Sequence, residues 1–162
     1  MSVLDIKNCI MRFEDGASHR LDVSVGEGTL TWTERRPVEY LMEKGRIDEV
    51  RLGDEVPMDV SFQFRWKFLR SNTASTPSIE DALKQRYEAA AWTSSDSDTC
   101  RPYALDIVVI NDPTCNTEMR ERATLPDFRY EELQHDVKAA SVSCSGKCNA
   151  REAIVDRGEQ YS

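Results

Sequence analysis

The sequence predicts an all-β protein with one flanking helix, and three observations carry that expectation. Residues 57–70, PMDVSFQFRWKFLR, keep a strict period of two, with Val60, Phe62, Phe64, Trp66 and Phe68 on one face and Asp59, Ser61, Gln63, Arg65 and Lys67 on the other, as in a half-buried strand. Several shorter segments alternate in the same way between turn-forming residues. One stretch alone, opening at Pro77-Ser78, combines a helix start signal with a helical apolar stripe. Burying four large aromatics is worth roughly 1.5–3 kcal/mol each, so the 57–70 strand is expected to anchor the main sheet.

Taken in order, residues 3–14 read as a strand centred on 9–13 and closed by Glu14-Asp15-Gly16. Residues 19–25 place Leu21, Val23 and Val25 on one face, and Gly26-Glu27-Gly28 permits a sharp reversal into a strand over 29–35. There Leu30 and Trp32 point one way, and Thr29, Thr31 and Thr33 form a polar, β-branched row on the other. Residues 37–56 read as a long loop, too long for a simple hairpin. Val38, Tyr40, Leu41, Met42, Ile47, Val50 and Leu52 make it too apolar to remain solvated, and a neighbouring subunit is one candidate for covering it.

After the central strand, residues 71–76 form a polar linker. A helix is expected over about 78–91, with Ser78 and Asp81 in a capping pattern, Ile79, Ala82, Leu83, Tyr87 and Ala90 on one face, and Glu80 and Lys84 as an i,i+4 pair. Residues 93–98, TSSDSD, form a loop whose Asp96 and Asp98 lack the glycine and terminal Glu of a calcium loop. Residues 103–110 read as a buried strand, 111–116 as a turn-rich tip and 122–131 as the returning strand. The last strands, 139–144 and 150–157, are separated by Ser145-Gly146-Lys147, and 158–162 is a loose end. The whole, residues 1–162, reads as one domain.

Composition narrows the function classes. With 40% hydrophobic and 31% charged residues, the chain is that of an ordinary globular protein, and no apolar run is long enough to span a membrane. The N-terminal residues lack the basic, apolar and small-residue segments of a signal peptide. A formal net charge of −8 argues against wrapping the phosphate backbone, although not against repelling it. The five cysteines include no C-x-x-C pair and there are only two histidines, His19 and His135, so free thiols are expected rather than a zinc site. Gly146-Lys147 lacks the remaining residues of a phosphate loop, and no nucleophile-elbow or zincin motif occurs. His135 beside Asp136 has no positioned nucleophile. Neither catalysis nor a cofactor is expected. The alternating polar face of 57–70 fits an ordinary solvated surface as well as a working one.

Seven stretches taken together resemble the major tail tube protein of long-tailed (siphovirus-type) bacteriophages. They are LTWTE (30–34), EYLMEKGRIDEVRLGDEVPMDVSF (39–62), PSIEDALK (77–84), the Ala91-Trp92 pair, CRPY (100–103), LPDFR (125–129) and SGKCN (145–149). None is a chemical motif alone; the resemblance lies in their order and in the segment ending PMDVSF.

The resemblance implies a β-sandwich or partly open barrel whose strands join an inter-subunit inner β-barrel. Hexameric rings of the chain would stack into a hollow tail that conducts DNA into the host without binding it specifically. Partners would be further copies of the chain, a tape measure protein, a tail terminator and distal tail proteins. The location would be the virion, and the host cytoplasm during assembly, with no membrane. On this reading Thr29, Thr31, Thr33, Asp59, Ser61 and Gln63 face the lumen, while Arg65 and Lys67 depart from an acidic wall. The 37–56 segment would stack rings through Tyr40, Leu41, Ile47, Asp48, Val50, Arg51, Asp54 and Glu55. A terminator-like tail component and a non-catalytic β-sandwich that binds another protein are the competing readings.

Overall fold

The protein is mostly β, with one short helix. The computed structural model describes residues 9–24, 29–65, 77–111 and 121–157. These form the strands β1 (Cys9–Glu14), β2 (Arg20–Ser24), β3 (Thr29–Thr33), β4 (Val38–Glu43), β5 (Arg46–Leu52) and β6 (Met58–Arg65), the helix α1 (Ile79–Lys84), and β7 (Leu105–Asn111), β8 (Glu121–Asp136), β9 (Ser141–Cys148) and β10 (Ile154–Arg157). One antiparallel sheet runs β2-β1-β7-β8-β9-β6-β3, with β10 also paired to β8, and β4 and β5 form a separate two-stranded sheet.

The large sheet is folded on itself. In a flat sheet β1 and β6, four places apart, would lie about 19 Å from each other, yet the Phe13 and Phe62 rings are 5.6 Å apart and Phe128 of β8 lies 5.8 Å from Phe62. β8 makes the fold possible by belonging to both layers. Its first half pairs with β7 and β10, and from Phe128 to Asp136 it pairs with β9. At the crossover Asp127 takes a left-handed φ of 51° and the β8–β9 register shifts between Tyr130 and Glu132, a bulge that bends the strand. Gly146 of β9 lies against this bend so closely that a Cβ there would collide with the Arg129 carbonyl oxygen.

Between the layers lie Met11, Phe13, Val60, Phe62, Phe64, Leu105, Ile107, Leu125, Phe128 and Val142, all buried in one cluster. The alternation of 57–70 predicts this for Val60, Phe62 and Phe64; Trp66, Phe68 and Lys67 lie outside the described residues, as do residues 3–8, 71–76, 112–116 and 158–162. α1 adds Ile79, Ala82 and Leu83 to the cluster. Ser78 caps it as expected, accepting from the Asp81 amide at 3.2 Å, and Lys84 reaches Glu80 at 2.7 Å.

The helix is much shorter than the expected 78–91. Gln85 ends it at a left-handed φ of 54°, and a 3-10 turn, Tyr87–Ala89, leaves Tyr87 77% exposed. The early stop lets the following chain return Trp92 to the core, where it stacks on His19 at 5.8 Å. β9 likewise differs from expectation: it runs through Ser145-Gly146-Lys147 without a break, because Gly146 is a ladder position at a close approach rather than a turn.

Asp15 ties three segments together. Its buried carboxylate accepts from the Ala17 and His19 amides, from the Thr93 amide at 2.9 Å and from His19 Nδ1 at 2.7 Å. Burial pushes its pKa up, but the bonds from Thr93, His19 and Ala17 outweigh this and hold it below the usual carboxylate range. The folded pKa is thus depressed, so the stabilisation is fully present above the unfolded value near pH 4 and is lost as pH falls through the folded one. Asp15→Ala should lower unfolding free energy at pH 7 by about 2–3 kcal/mol by stranding these amides. It should also weaken the loss of stability below about pH 4. Urea titrations from pH 2 to 7 check both; a wild-type midpoint throughout would refute this role.

Candidate functional site

The face opposite the core is polar across four strands. The six residues expected to face a lumen pair directly across β3 and β6, as Thr29 with Gln63, Thr31 with Ser61 and Thr33 with Asp59. The rows continue onto β9 and β8: Ser61 meets Ser145, which meets Glu132, and Gln63 meets Ser143, which meets Gln134. Asp59 meets Lys147. Such alignment follows from a period of two on each strand, since in-register pairing keeps every polar residue on one side.

The polar groups of this face bond largely to one another. Thr31 Oγ1 and Ser61 Oγ lie 2.9 Å apart, Gln63 Nε2 donates to Ser141 Oγ at 3.1 Å, and Arg35 pairs with Asp59. Two open grooves lie side by side on it. One is lined by hydroxyls and amides such as Thr29, Gln63, Ser143 and Gln134, and the other is more charged, with Asp59, Glu131, Glu132 and Lys147.

Among the described residues, neither edge of this four-stranded unit has a further ladder partner. Among the described residues β3 forms a ladder with β6 alone, and residues 129–136 of β8 form one with β9 alone, because the β7–β8 ladder ends at the pair of Leu105 with Phe128. Each edge therefore carries backbone donors and acceptors that belong to no second ladder among the described residues. Among the described residues β2 likewise forms a ladder with β1 alone, although that strand belongs to the other layer.

Residues 37–56 form a hairpin rather than a long loop. β4 and β5 join through Lys44-Gly45, with φ of 50° and 76°, the two positive values of a tight hairpin turn. One face pairs Val38 with Leu52, Tyr40 with Val50 and Met42 with Ile47, and Tyr40, Met42, Ile47, Val50 and Leu52 are each more than half exposed. The other carries Leu41 opposite Glu49 and the ion pair of Arg51 with Glu39 at 2.8 Å. Asp48 falls at the register shift, and Asp54 and Glu55 lie exposed in the strap to β6. The apolar residues are those the sequence singles out, while the regular pairing is not expected from it.

Other candidate chemistry is accounted for structurally. Asp96 accepts from Arg129 at 2.8 Å and lies 3.4 Å from Arg101, which also pairs with Asp98, so these carboxylates anchor a loop. Cys144 and Cys148 point into the core, and burial pushes each thiol up to about 12. His135 Nε2 lies 3.5 Å from Glu80, linking β8 to α1. Among the described residues no group of three or more His, Cys, Asp or Glu could hold a metal ion, and no helix is long and apolar enough to cross a membrane.

No protein-family model, curated protein or solved structure matches the chain. Sequence reasoning misses the contributions of Ser143, Ser145 and Lys147, and of Glu132 and Gln134. The alternation of Val142, Cys144, Gly146 and Cys148 marks the first group, whereas the β8 bulge interrupts the period that would mark the second.

Because among the described residues none of the hairpin belongs to the core cluster or packs against it, replacing residues 39–51 by a two-residue turn should change global stability by less than about 0.5 kcal/mol. Denaturant unfolding checks this. A large loss would mean that the hairpin supports the sandwich.

Proposed function

We propose that the chain is a structural virion protein, a tail tube subunit whose hexameric rings stack into a hollow tube for DNA. The observation that carries the reading is the four-stranded polar unit β8-β9-β6-β3, whose two edges have no further ladder partner among the described residues. Four is an even number in an antiparallel ladder, so β3 and the 129–136 segment of β8 run in opposite directions. Copies related by rotation can therefore pair β3 of one with β8 of the next and continue the ladder without changing its pattern. Closure removes the edges.

The resemblance supplies the number six. Six copies give about 24 strands, which at ~4.8 Å spacing make a backbone ring roughly 37 Å across before strand tilt widens it. Its inner surface is the polar face, since the opposite side is the buried core. Thr, Ser and Gln rows, with Asp59, Glu131 and Glu132 outnumbering Lys147 on the charged groove, offer phosphates few cationic contacts. Arg35 beside Asp59 is the exception at one rim; the Arg65 side chain lies outside the described residues. The hairpin leaves the sheet between β3 and β6, so it projects from a rim and is the contact between stacked rings. A hairpin of this kind is marginal alone in water, and its apolar face gains a cover on stacking.

Edge substitutions test ring closure. On β3 alternate amides point away from β6, so of Leu30→Pro and Thr31→Pro one removes an outward donor and the other an internal ladder donor. The outward variant should keep the subunit folded by circular dichroism and abolish rings and tubes in negative-stain micrographs. Normal tubes from it would exclude β3 from the closing edge.

A further inference from the structure

We infer that the apolar face of the β4–β5 hairpin docks on the β8–β9 turn, residues 137–140, of a second copy in the adjacent ring. This rests on the tube reading and names the surface that the hairpin meets. The two features lie at opposite ends of the polar sheet. The hairpin departs beside the row of Thr33, Asp59 and Lys147, whereas the turn follows the row in which Arg65, Ser141 and Asp136 align. Six residues of strand separate these rows, about 20 Å, and the exposure of the hairpin face shows that its own subunit does not cover it.

The turn has the complementary chemistry. Val137 is 80% exposed, more than any residue on the hairpin face, and Ala139 and Ala140 beside it are small and exposed. Its shape is set locally, by Asp136 accepting from the Ala139 amide at 3.1 Å and by Ala140 at a φ of 52°, so an apolar tip is presented without reordering. Lys138 is the only charge within 137–140, and Asp136, just before the turn, is directed onto the Ala139 amide, while residues 37–56 carry six carboxylates and three cations. Opposite charge thus flanks the apolar contact and favours this pairing over two hairpins meeting each other. A contact between unlike surfaces at opposite ends is heterologous and does not close, so each added copy offers the same site again and growth proceeds along one axis.

Val137→Asp tests the assignment, because a side chain this exposed can change without disturbing the core. The variant should unfold as the wild type does and still form rings, and it should need at least about tenfold higher concentration to form tubes. Cross-linking gives an independent readout. In a background of Cys9→Ser, Cys100→Ser and Cys115→Ser, one preparation carries Ile47→Cys and a second carries Val137→Cys. Mixing and oxidation should give disulfide-linked pairs that neither gives alone. Tubes of normal length from Val137→Asp, or no cross-linked pairs from mixtures that do form tubes, would overturn the inference and leave the tube reading standing. If the unmodified chain forms neither rings nor tubes at any concentration, the tube reading falls and this docking falls with it.

Discussion

The bend in β8 is the constraint on which the rest of the structure depends. A strand of sixteen residues cannot serve two layers without a break, and here it is made by Asp127 in the left-handed region, the bulge after Tyr130 and the contact of Gly146 with Arg129. Two consequences follow from the same few residues. The sheet closes over Phe13, Phe62 and Phe128, which gives the domain its core. The second half of β8 also parts from β7, so among the described residues, residues 129–136 form a ladder on one side only. A straight β8 would have neither a sandwich nor that edge.

The polar face and the hairpin are opposite solutions to exposure. On the face, hydroxyl and amide side chains bond to one another across strands, as Thr31 does with Ser61, so the surface is neither sticky to apolar groups nor rich in cations. On the hairpin, five large apolar side chains stand in water with only a two-stranded ladder beneath them. Exposed apolar surface of this kind is a general feature of association sites, and the proposed reading uses it so. On the proposed reading, the asymmetry suits a subunit that attracts copies of itself and is indifferent to what passes over its sheet.

Much of the fold was legible in the sequence because a period of two survives burial. The six polar residues of β3 and β6 and the core row of Val60, Phe62 and Phe64 follow directly from alternation. What was not legible depended on contacts between distant segments. Gly146 looks like a turn until Arg129 is placed against it, and the helix looks longer until Trp92 and His19 are seen to compete for the chain beyond Gln85. In β8, a bulge shifts the phase, so Glu132 and Gln134 cannot be assigned to a face from spacing alone. The hairpin was hidden by its own register shift, which sets Met42 opposite Ile47 and leaves Asp48 over.

Amide hydrogen exchange, compared between free subunits and assembled particles, tests the central claim most directly. Unpaired edge amides exchange rapidly, and a ladder partner protects them. The outward amides of β3 and of residues 129–136 should exchange quickly in the free subunit and become protected together on assembly, while those of β7 stay unchanged. Assembled particles in which both edges exchange as they do in the free chain would contradict closure through the β8-β9-β6-β3 unit.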